Sequence, residues 1–385
     1  MKKELGIYIH IPFCKNKCKY CDFISFKGIE KKQDEYIECV LKEIDTQNWK
    51  EINEKYEITT IYIGGGTPSY LCAENISKIL NLLKYKIKRL NKWKEIEITI
   101  EINPGTVDEQ KLIEYKNCGV NRLSIGLQTT SNKLLKQLGR IHNLEQFLET
   151  YKLAKKAGFK NINIDLMLGL PNQTVQDLKE SIEQVVELNP NHISVYSLIL
   201  EEGTEMFKDV EDKKLKLPSE EIERQMYWYV KNKLELLGYK HYEISNFSKE
   251  GKESKHNLNC WNQEEYLGFG IAAHSYFENK RYCNTSILED YIKNIKDGKI
   301  DNNIEVLEIQ DFEARKKEYM MLGLRKIDGV SIKSFKEKFI ENPIYTFRKE
   351  LDELSQNELI EIDGDSIKLT NKGLDYANLV WEQFI

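Results

Sequence analysis

The chain sets two apolar rhythms against each other. Short β-type runs fall at 5–11, 59–63, 95–102, 122–127, 162–168 and 193–200. The run at 95–102 alternates strictly, with Ile96, Ile98, Ile100 and Ile102 on one side. Between the runs, segments 31–48, 74–90, 108–117, 144–157 and 174–187 read as helices, the fourth closed by Gly158. Ile37, Val40, Leu41 and Ile44 show the i, i+3, i+4, i+7 spacing of a helix with one buried face, and Ile76, Ile79, Leu80 and Leu83 share a second such face. Six βα-type repeats in about 200 residues predict an α/β fold, a parallel sheet with helices outside and right-handed crossovers. Six units are too few for a closed eight-stranded barrel. The expected architecture over 1–205 is therefore an open partial (βα)6 barrel, wide-mouthed, with ligands at the ends of the strands.

After residue 200 the repeat stops. Residues 219–237 read as a helix ending at Gly238, 245–263 as a polar, Asn-rich loop, and 267–274 as a glycine-spaced segment. Residues 206–304 are expected to extend the barrel. From 305 to 385 the pattern is helix, helix, a β pair at 359–362 and 366–369, and a final helix, which predicts a small winged-helix-like domain. That segment mixes both charge signs and shows no basic recognition face, so an interaction or lid role is expected ahead of DNA binding.

Composition narrows the picture further. The 57 Lys and Arg against 62 Asp and Glu leave a net charge of -5, so nucleic acid is not an expected partner. No run approaches the ~18 apolar residues of a membrane span. The opening MKKELGIYIHIPFC is too short and polar for a secretory signal. A cytoplasmic location is expected, where disulfides are rare, so the eight cysteines need another explanation.

Cys14, Cys18 and Cys21 form C-x3-C-x2-C directly after the first strand. Cys39, Cys72, Cys118, Cys260 and Cys283 are scattered singly and read as small hydrophobes. Structural zinc usually takes four ligands in two pairs, and no second Cys/His pair lies nearby. Three thiolates suit a [4Fe–4S] cluster with one iron left open. Gly64-Gly65-Gly66-Thr67-Pro68 follows the second strand, where glycines let backbone approach a ligand and the Thr67 hydroxyl adds a bond. Glu101, Gln128, Arg140 and Asp165 stand within or just after later strands and bring polar groups to the same rim. A carboxylate there can accept from ribose hydroxyls or an ammonium, and an arginine can bind a carboxylate bidentately.

This constellation resembles the radical S-adenosylmethionine (SAM) superfamily. The resemblance implies that SAM chelates the open iron and that the cofactor pair carries one-electron chemistry. It implies a SAM site built from Tyr8, Tyr20, Gly65, Gly66, Thr67, Glu101, Gln128, Arg140 and Asp165, with Tyr20 beside the adenine. Over the whole chain the sequence is similar to the oxygen-independent coproporphyrinogen III oxidase group. The carrying motifs are YIHIPFC at 8–14, GGGTP at 64–68, IDLMLGLPNQT at 164–174 and EYMMLGLR at 318–325. The oxidases carry a further cysteine two positions after the third ligand, where this chain has Phe23, and a longer segment before the first ligand. Both departures match the heme chaperone (HemW) branch. That branch has a His-Asn-x-x-Tyr-Trp motif linked to heme. Here it reads His256-Asn257-Leu258-Asn259-Cys260-Trp261, with cysteine in the tyrosine position. Imidazole and thiolate are both heme ligands, so His256 and Cys260 are the heme candidates. His10 and His142 are further site-lining candidates.

The implied function is a heme chaperone that carries a SAM-bound [4Fe–4S] cluster and passes heme to acceptor proteins such as respiratory enzymes. A dimer and contact with a membrane surface are implied with it. The alternative is the oxidase itself, an oxidative decarboxylase making protoporphyrinogen IX from coproporphyrinogen III.

Overall fold

A computed structural model describes residues 2–87 and 90–385. The leading strands are β1 (Lys3–Ile11), β2 (Tyr56–Gly65), β3 (Glu97–Ile102), β4 (Arg122–Gln128), β5 (Ile162–Leu168) and β6 (His192–Ser197). They pair in sequence order and all in parallel. Helices Gln33–Thr46, Ala73–Lys86, Glu109–Cys118, Leu144–Lys156 and Val175–Glu187 cross between them. The helix expected over 74–90 ends at Lys86, and its positions 88–89 lie outside the described residues. A short helix that the periodicity does not show, Asn132–Gln137, follows β4.

Strand alternation sorts residues into two environments. Ile7, Ile9, Ile61, Ile63, Ile98, Ile100, Leu123, Ile125, Ile164 and Ile193 join the helices in one continuous apolar core. Their strand neighbours Tyr8, Thr60, Tyr62, Glu101, Ser124, Asn163 and Asp165 point to the other face. There they bond to one another or to residues beneath, as Tyr62 does to Glu101 and Ser124 to Asp165. The barrel interior is therefore polar, and the drive to fold comes from its outer face.

The sheet does not stop at β6. β7 (Lys240–Glu243) and β8 (Asn246–Ser248) add antiparallel strands at one edge. At the other edge β9 (Glu265–Phe269) lies parallel to β1, followed by antiparallel β10 (His274–Phe277), β11 (Lys280–Asn284) and β12 (Ile304–Ile309). The twelve strands run β12-β11-β10-β9-β1-β2-β3-β4-β5-β6-β8-β7. β12 begins where sequence places the last domain boundary, at 304/305, and hydrogen-bonds to β11.

The loop expected over 245–263 is instead β8 and a helix, Lys255–Trp261. This helix carries the His-Asn motif, and its polar residues hide it from periodicity. It forms because its first turn is docked: Ser254 caps the Asn257 amide, and the Glu97 carboxylate accepts from the amides of Lys255 and His256. It packs across β2 and β1; we call it the plug helix.

The C-terminal part has its own apolar core, from Tyr319 to Phe384. It holds the antiparallel sheet β13 (Val330–Ser331), β15 (Ser366–Leu369), β14 (Ile360–Asp363) and helices Phe312–Gly323, Ile332–Phe339 and Arg348–Gln356. The expected final helix is two short ones, Asn371–Asp375 and Ala377–Glu382. The guanidinium of Arg325 lies 4.5 Å from the Trp261 ring and 4.4 Å from the Trp381 ring, tying this part to the end of the plug helix. No helix among the described residues is long and apolar enough to cross a membrane.

Candidate functional site

The cysteine loop begins where β1 ends. Its backbone is pinned by bonds from Cys14 N to Phe26 O (2.9 Å), Phe26 N to Pro12 O (2.7 Å) and Lys19 N to Leu138 O (3.0 Å). Cys14, Cys18 and Cys21 all line one cavity of about 480 Å³ at the mouth of the barrel. Burial pushes the Cys14 thiol up and the Cys21 thiol up to about 11. A run of polar contacts links two of the cysteines. Cys14 Sγ lies 3.3 Å from Thr67 Oγ1, and Asn103 Nδ2 donates to that same oxygen at 2.8 Å. Arg140 Nη2 donates to Asn103 Oδ1 at 2.6 Å, and Arg140 Nη1 approaches Cys18 Sγ at 3.6 Å.

The glycines are needed for close approach. Gly65 has φ 115°, and a Cβ there would sit 2.7 Å from the His10 ring. A Cβ on Gly66 would sit 2.9 Å from Cys14 Sγ. Across the cavity, Glu101 accepts from Tyr62 OH at 2.8 Å and from Gly65 N at 3.2 Å. Burial raises its carboxyl to about 7. Asp165 accepts from Ser124 Oγ at 2.9 Å and Asn163 Nδ2 at 2.7 Å, and burial raises it too. Gln128 reaches the wall from a β-bulge against β5 with φ 73°, a strained position for a residue with a Cβ. Tyr20 and Arg140 line the same cavity.

Three thiols, a neighbouring guanidinium and two carboxyls on one cavity form a donor set that fits a [4Fe–4S] cluster with SAM. Arg140 stands ready to offset thiolate charge. Among the described residues no three His, Cys, Asp or Glu side chains gather as ligands of a single metal ion would. A cluster takes one thiolate per iron, so its ligands stand further apart.

Other expected residues lie elsewhere. Tyr8 is not on the cavity wall. It is one pleat deeper in β1, its hydroxyl 2.9 Å from His10 Nδ1 and its ring stacked on Tyr62. His10 is scaffold: its Nε2 holds Ile24 O at 2.8 Å and anchors the cysteine loop. His142 is buried away from the wall, and burial with the nearby Arg140 charge pushes it down to about 3. His256 is not in a solvated loop. It sits beneath the barrel floor, Nδ1 2.8 Å from Thr60 Oγ1, with its ring stacked on Tyr62 at 5.1 Å. Burial pushes it down to about 4 and pushes Cys260, one turn along the helix, up to about 11. Sequence reading missed Tyr62, Asn103, Ser124 and Tyr196, all on the wall. The signal was available, since each shares strand parity with Glu101 or Asp165 or follows directly in it.

Residues 8–185 match the radical SAM superfamily and 312–376 the HemN C-terminal domain. The solved coproporphyrinogen III oxidase (HemN) of Escherichia coli superposes with a TM-score of 0.84 at 22% identity, over 100% of this chain and 90% of that one. That likeness shows the fold. Heme chaperone HemW of Lactococcus lactis is 37% identical over 100% of this chain and 98% of its own length. Heme chaperone HemW of Bacillus subtilis is 38% identical over 98% of each. The chain belongs to the HemW family. Within this HemW-family chain, Phe23 stands 62% exposed and lines the cavity, as Tyr196 and Ile199 also do.

Proposed function

We propose that this HemW-family chain is a heme chaperone that works with a SAM-bound [4Fe–4S] cluster. What carries the reading is kinship along the full length with proteins named as heme chaperones, in a chain whose three thiols share one polar cavity. Cys14, Cys18 and Cys21 would hold the cluster. Gly65, Gly66, Thr67, Glu101, Gln128, Arg140, Asp165 and Tyr20 would hold SAM, with Tyr8 supporting from behind. When bound, the pair supplies one-electron chemistry at a sulfonium. The chain's own part is placement. Arg140 balances negative charge beside Cys18. Glu101, poised near neutrality, ionises once an ammonium or hydroxyl donor reaches it.

For heme, His256 and Cys260 are proposed ligands, and both lie on the docked plug helix. The His256 imidazole is held by Thr60 and Tyr62, so the helix must shift before that ring can take iron. Respiratory enzymes as acceptors, a dimer and a membrane-surface location belong to the same proposal and rest on family likeness. The test is an anaerobic heme titration of cluster-loaded and cluster-free protein, transfer to an apo-heme protein, and a coproporphyrinogen assay in parallel. Heme uptake and transfer without protoporphyrinogen formation are expected. Turnover of coproporphyrinogen without heme transfer would establish the oxidase in its place.

A further inference from the structure

The two carboxyls at the mouth of the barrel and the plug helix at its floor belong to different segments, yet two buried routes join them. The first starts at Glu101. Its Oε1 accepts from Tyr62 OH at 2.8 Å. The Tyr62 ring stacks on His256 at 5.1 Å and 26°. His256 is fixed in turn by Thr60 through its ring and by Glu97 through its backbone amide. The second route starts at Asp165. Asn163 Nδ2 donates to it at 2.7 Å, and Asn163 Oδ1 lies 2.6 Å from His192 Nδ1. His192 Nε2 lies 2.8 Å from Tyr242 OH, and that oxygen accepts from the amide of Ser254 at 3.2 Å. Ser254 is the residue that caps the plug helix.

Both routes end on the same seven-residue helix. Asn163, His192, Tyr242, Ser254 and His256 are all buried, so no bulk water is at hand to replace a lost partner. Without the His256 ring, Tyr62 keeps Tyr8 as its stacking partner, and its hydroxyl is held less firmly on Glu101. We propose that His256 and Ser254 are positioning residues of the SAM pocket, acting through Tyr62 on Glu101 and through His192 and Asn163 on Asp165. The inference rests on the reading that these carboxyls face SAM. It goes beyond that reading by giving the heme-linked motif a second task, and it uses no heme in its test. Coupling of this kind is reciprocal: a plug helix that orders the pocket is itself ordered when the pocket fills.

The experiment measures SAM dissociation constants anaerobically on cluster-reconstituted full-length protein. The variants are Glu101→Gln, Tyr62→Phe, His256→Ala and the Tyr62→Phe/His256→Ala double. Tyr62→Phe keeps the ring stack and removes only the bond to Glu101. Weakening of about 10-fold is expected for each single variant, within the range typical of coupled sites. The double variant should be no weaker than the worse single, because both changes break one route. Amide exchange of the unaltered protein, with and without SAM, gives a readout that needs no variant to fold. Exchange across residues 254–262 should slow when SAM binds. Unchanged SAM affinity in folded, iron-loaded His256→Ala overturns the proposal. So do effects that multiply fully in the double variant, or exchange rates over 254–262 indifferent to SAM. Unchanged affinity in Glu101→Gln overturns the SAM reading and the inference together, and weakening in Glu101→Gln alone overturns only the inference.

Discussion

Asn103 donates to Thr67 through one end of its amide and accepts from Arg140 through the other, so it joins the glycine turn to the guanidinium beside Cys18. Asn103→Ala leaves a half-buried guanidinium with the Gly126 carbonyl but without its other oxygen acceptor, a loss of about 1–3 kcal/mol. Iron retained after anaerobic reconstitution and desalting should drop, while far-UV circular dichroism stays unchanged. Equal iron would mean that the three cysteines hold the cluster without this support. Glu101 offers a test by pH. Its folded value is raised to about 7, above that of an unfolded glutamate. The native state therefore binds a proton that the unfolded chain has released. The group's contribution is full below about pH 4.5 and is lost as pH rises through 7. In cluster-free protein, Glu101→Gln should match the parent near pH 4.5 and exceed it by about 3 kcal/mol at pH 8, measured by urea unfolding. A difference that does not vary with pH would show that the carboxyl is not so perturbed.

At the scale of elements, the strands and the cysteine loop were legible because their signals are local. Ile96, Ile98, Ile100 and Ile102 declare a strand within eight residues, and three cysteines within eight declare a shared ligand. The plug helix was not legible. Lys255–Trp261 has no apolar face of its own, and its partners Glu97 and Thr60 lie some 160 and 200 positions away. Tyr8 meets a related limit: the motif names the residue, but only the register of β1 with β2 shows its depth. The helix yields a prediction of its own. Ser254→Ala removes its cap and should cost about 1 kcal/mol in urea unfolding. His256, held down to about 4, remains neutral while an unfolded histidine protonates. Its contribution is complete above about pH 6.5 and is lost as pH falls towards 4. Replacing His256 by Asn should flatten the acid limb of the stability profile over that window. An unaltered limb would place the imidazole in water.

Across the whole molecule, the motif at 318–325 works as a clasp. Glu318 takes Arg281 of β11 at 2.7 Å and the side-chain amide of Gln263 at 2.8 Å. Arg325 fills the space between Trp261 and Trp381. The C-terminal part is thereby fastened to the base of the barrel, at the end of the plug helix. Arg325→Lys is not conservative here, because an ammonium cannot stack between two indoles as a planar guanidinium does. About 1–2 kcal/mol should be lost, and limited trypsin digestion should release the segment beyond 310 faster than in the parent. Equal digestion rates would show that the two cores hold together without the clasp. Here sequence similarity identified the motif, and only the packing of distant segments reveals its work.

The polar lumen has a consequence for how such a chain can change. Every strand carries two messages in alternate letters, one addressed to the helices and one to the cavity. Ile100 belongs to the first and Thr99, buried with an unpartnered hydroxyl, to the second. Ile100→Ala should cost about 2–5 kcal/mol, whereas Thr99→Val should stay within about 1 kcal/mol of the parent. The inner letters can thus be respelled with the shell intact, so one barrel can keep its shape while its descendants trade one cargo or chemistry for another.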